Sequence, residues 1–350
     1  MKAELILENG ARFAGELFGD MRETVGEVVF TTGMTGYQES ITDPSFAGQI
    51  VTMTFPLIGN YGTNSIDMES KKASMNALVV REKCDFPSNF RCEKTIDEFL
   101  KEQGVVGLSG VDTRALTRIL RNSGVMRAAI VTGEVSDEEA MRRINELDNS
   151  NVIMQTTTKQ KYVFNEKGKL HIAFIDMGAK ENILRDLAAR DARLTVFPAN
   201  TSADEILAEK PDLAFISNGP GDPLDAPGTV DTVKRLIGKV PVYGICMGHQ
   251  IIGLALGGKT KKLKFGHHGG NHPVKDHKTG RVFITSQNHN YIVSDLPEDV
   301  VETFTNVNDG TCEGIRHKTL PVESVQFHPE AAPGPLDTGF LFDRFLGKED

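Results

Sequence analysis

The sequence predicts a two-domain α/β protein, with a doubly wound parallel sheet in its C-terminal half behind a smaller α/β domain. Three observations lead there. From about residue 170, short β-branched and aromatic runs alternate with helical periodicity, the rhythm of parallel strands joined by crossover helices. Just before that point lies a polar, strand-poor stretch (Gln155-Thr-Thr-Thr-Lys-Gln-Lys161). The length, 350 residues, is enough for two ordinary cores. The expected domains are therefore 1–150 and 170–350, with 151–169 as a linker.

In the first domain, Ala3–Leu7, Arg12–Leu17 and Glu27–Thr31 read as strands separated by Asn-Gly and Gly-Asp turn signals, with another near Ala77–Arg81. Between them lie loops rich in Gly, Pro and Asn: Thr32–Glu39, Thr42-Asp-Pro-Ser45-Phe46 and Phe55–Gly62. Such loops are either ordinary turns or places where function sits. Gly110–Gly124 reads as a helix capped by Asp112 or Thr113 and stopped by Gly124. Its Arg114, Arg118 and Arg121 share one face, either a solvated surface or a contact for an acidic partner. A second amphipathic helix is expected over Asp137–Leu147.

In the second domain, strands are expected at His171–Ile175, Arg193–Phe197, Asp212–Ser217 and Val240–Ile245. Helices near Glu181–Arg190, Ser202–Glu209 and Thr229–Ile237 interleave them. Ligands of such sheets bind beyond the carboxyl ends of the strands, and two unusual stretches fall there. Ser217-Asn-Gly-Pro-Gly-Asp-Pro223 offers bare backbone N–H groups, as an oxyanion hole requires, or is a plain turn. Gly244-Ile-Cys246-Met-Gly248 has the spacing of a strand–elbow–helix turn that presents its central side chain as a nucleophile at a helix N-terminus. A buried structural cysteine is the alternative.

Toward the C-terminus, a strand at Val322–Phe327 leads into His328-Pro-Glu330. Two residues apart in an extended segment, His328 and Glu330 point the same way, so imidazole and carboxylate converge as base and orienting partner. His249, on the elbow helix, is directed away from the thiol and is not assigned as the base. His267-His-Gly-Gly-Asn-His272 invites a metal reading, but no cysteine adjoins it and the carboxylate near it in sequence is Asp276, so no metal is expected.

Composition narrows the class. Apolar content of 39% and charged content of 25% suit a soluble globular protein, and a net charge of −9 argues against nucleic acid or anionic membrane as partner. No apolar run approaches the ~18 residues of a membrane span. Four scattered cysteines and the lack of an apolar leader lead to a cytoplasmic expectation.

The motif Gly-Ile-Cys246-Met-Gly-His-Gln250, with Phe-His328-Pro-Glu330, resembles the class I, triad-type glutamine amidotransferases. Three more stretches narrow the likeness: Lys264–Pro273, Gly33–Glu39 with Asp43-Pro-Ser45, and Gly110–Arg118. Together they resemble the small subunits of carbamoyl-phosphate synthetases, essentially end to end. The resemblance implies a flavodoxin-like glutaminase domain that releases ammonia from L-glutamine. A large subunit would then combine that ammonia with bicarbonate and two ATP. Cys246 would be the nucleophile, His328 the base and then acid, and Glu330 its orienter, with an oxyanion hole at the N–H groups of Gly219 and Met247. Glutamine-holding positions map to Ser45, Gly219, Gly221, Met247, Gln250, Gln287 and Asn288, with Lys180 as an addition. Asn290 and Tyr291, where the family often has Gly-Phe, complete the set. No P-loop is present, so no cofactor is expected on this chain, and ATP with Mg is expected on the large subunit only. A catalytically dead scaffold subunit and a free-standing cysteine hydrolase are the competing classes.

Overall fold

The computed structural model describes residues 1–348. The chain divides into two compact units, Met1–Asn149 and the remainder from Ser150.

The first unit contains β1 (Lys2–Leu7), β2 (Arg12–Gly19), β3 (Thr24–Thr31), α1 (Tyr37–Thr42), β4 (Gln49–Met53), β5 (Leu57–Ile58), β6 (Ala77–Val79) and β7 (Glu82–Lys83). It continues with α2 (Ile96–Gln103), β8 (Val106–Ser109), α3 (Thr113–Ser123), β9 (Met126–Thr132) and α4 (Asp137–Asn145). Seven strands close into a barrel in the order β1-β2-β8-β6-β4-β3-β9, and closure leaves no unpaired edge. The strands β4, β8 and β9 escape a periodicity reading. Every residue of β4 is buried, so it has no polar face to alternate with. In α3 the Asp112 carboxylate accepts from the N–H of Ala115 at 3.0 Å, while Leu116 and Leu120 face the core. Arg114, Arg118 and Arg121 are exposed and form no ion pair among the described residues.

The second unit runs α5 (Val152–Thr156), β10 (Tyr162–Phe164), β11 (Leu170–Asp176), α6 (Glu181–Ala189), β12 (Ala192–Pro198), α7 (Ala203–Ala208), β13 (Leu213–Ile216) and α8 (Pro227–Leu236). Then follow β14 (Val242–Ile245), α9 (Met247–Ala255), β15 (Lys259–Asp276), β16 (Val282–Ser294), β17 (Val300–Asn306), β18 (Cys312–His317), β19 (Val322–Val325) and α10 (Phe340–Phe345). The stretch 151–169, expected as a linker, instead carries α5 and β10. Its Thr157 hydroxyl donates to the Asp176 carbonyl, and its β10 pairs with β12. Polar residues there satisfy the end of β11 rather than solvent.

The parallel strands take the order β12-β11-β13-β14-β19, the 2-1-3-4-5 order of flavodoxin-like sheets. Antiparallel strands β18, β17, β15 and β16 extend this sheet on one side. Two apolar cores cover its faces. One gathers Ile216, Met247, Ile251 and Ile252, the other Phe174, Phe215, Phe327 and Phe342. No helix among the described residues is long and apolar enough to cross a membrane.

Candidate active site

Three neighbouring parallel strands deliver the candidate chemistry at their carboxyl ends: β13 the Gly219 loop, β14 Cys246, and β19 the segment holding His328. At the elbow Cys246 itself adopts the rare backbone, φ 55° and ψ −105°, while neither flanking glycine has positive φ. The glycines serve close packing instead. A Cβ on Gly248 would lie 2.2 Å from the Ile216 carbonyl oxygen, and one on Gly244 would lie 2.9 Å from the Gly248 backbone. Such a strained non-glycine residue persists only where its surroundings hold it, which is common at functional sites. Cys246 is 2% exposed, and its thiol donates to the Asn288 carbonyl at 3.6 Å.

The His328 N–H donates to the Ser286 carbonyl at 2.9 Å, which anchors the base beside β16. Its Nδ1–H donates to Glu330 Oε1 at 2.6 Å. The convergence expected of an extended segment arises differently, because β19 ends at Val325 and His328–Ala331 forms a tight turn closed by Ala331 N–H on the His328 carbonyl. His328 Nε2, the nitrogen left for a nucleophile, is buried and makes no hydrogen bond in this arrangement. Burial opposes charge on His328, but its interactions with Glu330 and Cys246 outweigh it and raise the imidazole to about 10. Burial likewise opposes ionisation of Glu330, and Lys180 and His328 overcome it, holding the carboxyl near 2.

Lys180, expected as an addition to the glutamine-holding residues, is 2% exposed and places its ammonium 3.1 Å from Glu330 Oε1 and on the Ala331 carbonyl. It therefore orients the carboxylate that orients His328. Asn182, unnoticed in the sequence, donates to the Glu330 carbonyl at 2.6 Å.

The other expected residues divide into groups. Met247 opens α9, where a backbone N–H has no carbonyl one turn back to bond. Gly219 packs so tightly on Met177 that a Cβ would lie 2.4 Å from its carbonyl oxygen, and Gly221 has φ 87°. Gln250 is buried, its Nε2 donating to the Tyr291 carbonyl at 2.8 Å and to Gln326 Oε1 at 3.1 Å. It ties α9 to β16. The Gln287 side chain contacts Thr285 and His289 on its own strand. Asn288 and Asn290 point to the opposite face, where their Oδ1 atoms flank His268 at 2.8 and 3.1 Å. Tyr291 lies under the Lys262 ammonium. His249 contacts the Ser324 hydroxyl at 3.0 Å, and burial pushes it down to about 3. Ser45 belongs to the first unit, where Asp43 accepts its backbone N–H at 2.9 Å. His268 is brought beside Asn288 by the β15–β16 pairing alone, which no sequence spacing announces, while His289 lies within the Gln287–Tyr291 segment.

Residues 173–348 match the family described as "Glutamine amidotransferase class-I", and residues 5–130 match "Carbamoyl-phosphate synthase small chain, CPSase domain". The carbamoyl phosphate synthase small chain of Clostridium perfringens is 54% identical over 346 residues, 99% of both chains. The pyrimidine-specific small chain of Bacillus subtilis is 49% identical over 348 residues, covering 99% of this chain and 95% of its own. The carbamoyl phosphate synthase small chain of Archaeoglobus fulgidus is 49% identical over 351 residues, 99% of this chain and 98% of its own. The chain belongs to the family of carbamoyl-phosphate synthase small chains, with a class I glutamine amidotransferase domain as its second half.

Proposed function

We propose that this chain is the glutaminase subunit of a carbamoyl-phosphate synthase and works through a thioester on Cys246. The observation that carries the reading is the delivery of a strained elbow cysteine and a Glu330-bound imidazole from adjacent strands to the same end of the sheet.

The sulfur of Cys246, its proton already held on His328 Nε2, adds to the amide carbon of glutamine. The oxyanion is met by the N–H groups of Gly219 and Met247, donors fixed in place before the charge develops. The C–N bond then breaks as His328 returns the proton to nitrogen, and ammonia leaves. Water, deprotonated by His328, attacks the thioester carbon, and glutamate departs with regeneration of the thiol. Gly221, Gln250, Gln287, Asn288, Asn290 and Tyr291 define the substrate's surroundings, several of them by shaping backbone rather than by direct contact. Ammonia is used by a large subunit with bicarbonate and ATP-Mg, and this chain itself needs no cofactor.

The test is Cys246→Ser in the assembled enzyme. Glutamine-dependent carbamoyl phosphate synthesis should vanish while ammonia-dependent synthesis continues, since a hydroxyl is far less nucleophilic than a thiolate near neutral pH. Glutaminase activity surviving in that variant defeats the assignment.

A further inference from the structure

On the same face of the antiparallel extension as Gln287, three buried groups gather. His267 and His289 are cross-strand partners on β15 and β16, and Glu313 comes from β18. One ligand atom from each lies within 4.8 Å of the other two. His267 Nδ1 and Glu313 Oε1 are 3.5 Å apart. A tetrahedral cation with bonds of about 2.0–2.2 Å holds its ligand atoms roughly 3.3 Å apart, so this pair is already nearly at that spacing.

Two atoms of the cluster, His267 Nδ1 and Glu313 Oε2, are buried with no hydrogen-bond partner. Other atoms of the same side chains are held by neighbours. His267 Nε2 meets Asp309 Oδ2 at 2.8 Å, and Glu313 Oε1 accepts from Asn306 Nδ2 at 3.0 Å. His289 Nδ1–H donates to the Tyr291 carbonyl at 2.8 Å. Carboxylate–histidine and carbonyl–histidine contacts of this kind fix the tautomer and leave the other nitrogen's lone pair for a metal. His289 Nε2 stands 2.5 Å from Gln287 Oε1, so with Nδ1–H committed two acceptors face each other. A cation taking that lone pair removes the conflict once the amide turns away. His272 Nδ1, also buried without a partner, lies on a ring 5.1 Å from that of His267.

We propose that His267, His289 and Glu313 form a site for a divalent transition cation, of the zinc and cobalt class that imidazole with carboxylate favours, which pins β16 to β18. The competing occupant is a proton. Burial disfavours charge on His267, but Glu313 and Asp309 outweigh it and raise the imidazole's affinity for one. From sequence no metal is expected here, because no cysteine adjoins the histidines and the carboxylate near them in sequence is Asp276. The fold instead supplies Glu313 and Asp309, while Asp276 turns to Lys278 N–H and the Thr279 hydroxyl.

The test uses the full-length chain carrying Cys246→Ser, so that the active-site thiol does not compete. Titration with Co²⁺ and Zn²⁺, followed by visible absorption and calorimetry, should show saturable binding of one cation per chain with no sulfur charge-transfer band. In this background Glu313→Gln and His267→Asn should abolish the site, and Asp309→Asn should weaken it ~10-fold, the usual effect of losing an outer-shell partner. Zinc-edge X-ray absorption of the parent protein should report imidazole and oxygen ligands, a reading that stands even where a variant fails to fold. Overturning results are no saturable binding, ligation by water or sulfur alone, or affinity unchanged in folded Glu313→Gln and His267→Asn. Any of these leaves the proton as occupant.

Discussion

His328 is a fully buried imidazole held between the Glu330 carboxylate and the Cys246 sulfur, and those two neighbours decide its behaviour. Its pKa is raised above the ~6.5 of an unfolded chain, so its contribution to stability is complete below that pH and is lost as pH rises toward about 10. Glu330 is depressed from the ~4.3 of an unfolded chain to about 2, so its contribution is present above ~4.3 and lost as pH falls toward about 2. Both are therefore fully present between roughly pH 5 and 6. Glu330→Gln leaves the buried Lys180 ammonium without its carboxylate and should cost about 3–5 kcal/mol in that window. In a domain of this size that is a drop in Tm of roughly 10 °C. The loss should shrink toward pH 10 without vanishing, because Lys180 keeps its own demand. Calorimetric Tm values for both proteins across pH 5–10 check this, and a difference independent of pH refutes it.

At the scale of the element, the β14–α9 elbow rests on shape more than on glycine flexibility. Gly248 lies against the Ile216 carbonyl with no room for a methyl group, while Gly228 in α8 has nothing within 4 Å of where its Cβ would stand. Gly248→Ala should therefore destabilise by ~1–3 kcal/mol through overpacking and abolish glutamine hydrolysis by shifting Cys246. Gly228→Ala should be neutral or stabilise by ~0.4–1 kcal/mol. Urea midpoints with a glutaminase assay on both variants test the contrast. Equal effects of the two substitutions would mean that backbone entropy, not contact, accounts for the glycines.

At the scale of the whole molecule, the nucleophile and the base are buried beside one another, with the Cys246 thiol turned to the Asn288 carbonyl at 3.6 Å. A misplacement of ~1 Å in such a pair costs ~100-fold in rate. The chain alone should thus turn over glutamine slowly, and a large subunit with ATP and bicarbonate should raise kcat by roughly that factor. Replacing Arg114 and Arg118 by Glu on the exposed face of α3 should shift the activation curve to higher large-subunit concentration in a salt-dependent way. Steady-state kinetics of glutamate release across a large-subunit titration measure both effects. A chain already at its assembled rate would remove the geometric restraint from the reading.

By itself the sequence determined what local chemistry dictates. Strand–helix alternation set the parallel half of the second unit, the Gly-x-Cys-x-Gly spacing located the elbow, and His328 with Glu330 stood out as a pair because few residues separate them. The cap and stop of α3 were equally legible, since Asp112 and Gly124 act within one turn. The tertiary structure alone decided whatever depends on distant strands meeting. The barrel was hidden because β4 is buried all round and so shows no alternation. The antiparallel extension was hidden because its register is set by partners across the sheet. Lys180 could be linked to Glu330 only once β11 and β19 were placed in one sheet. Likewise, no spacing in the sequence brings Glu313 to His267, because that meeting depends on how β15, β17 and β18 are paired.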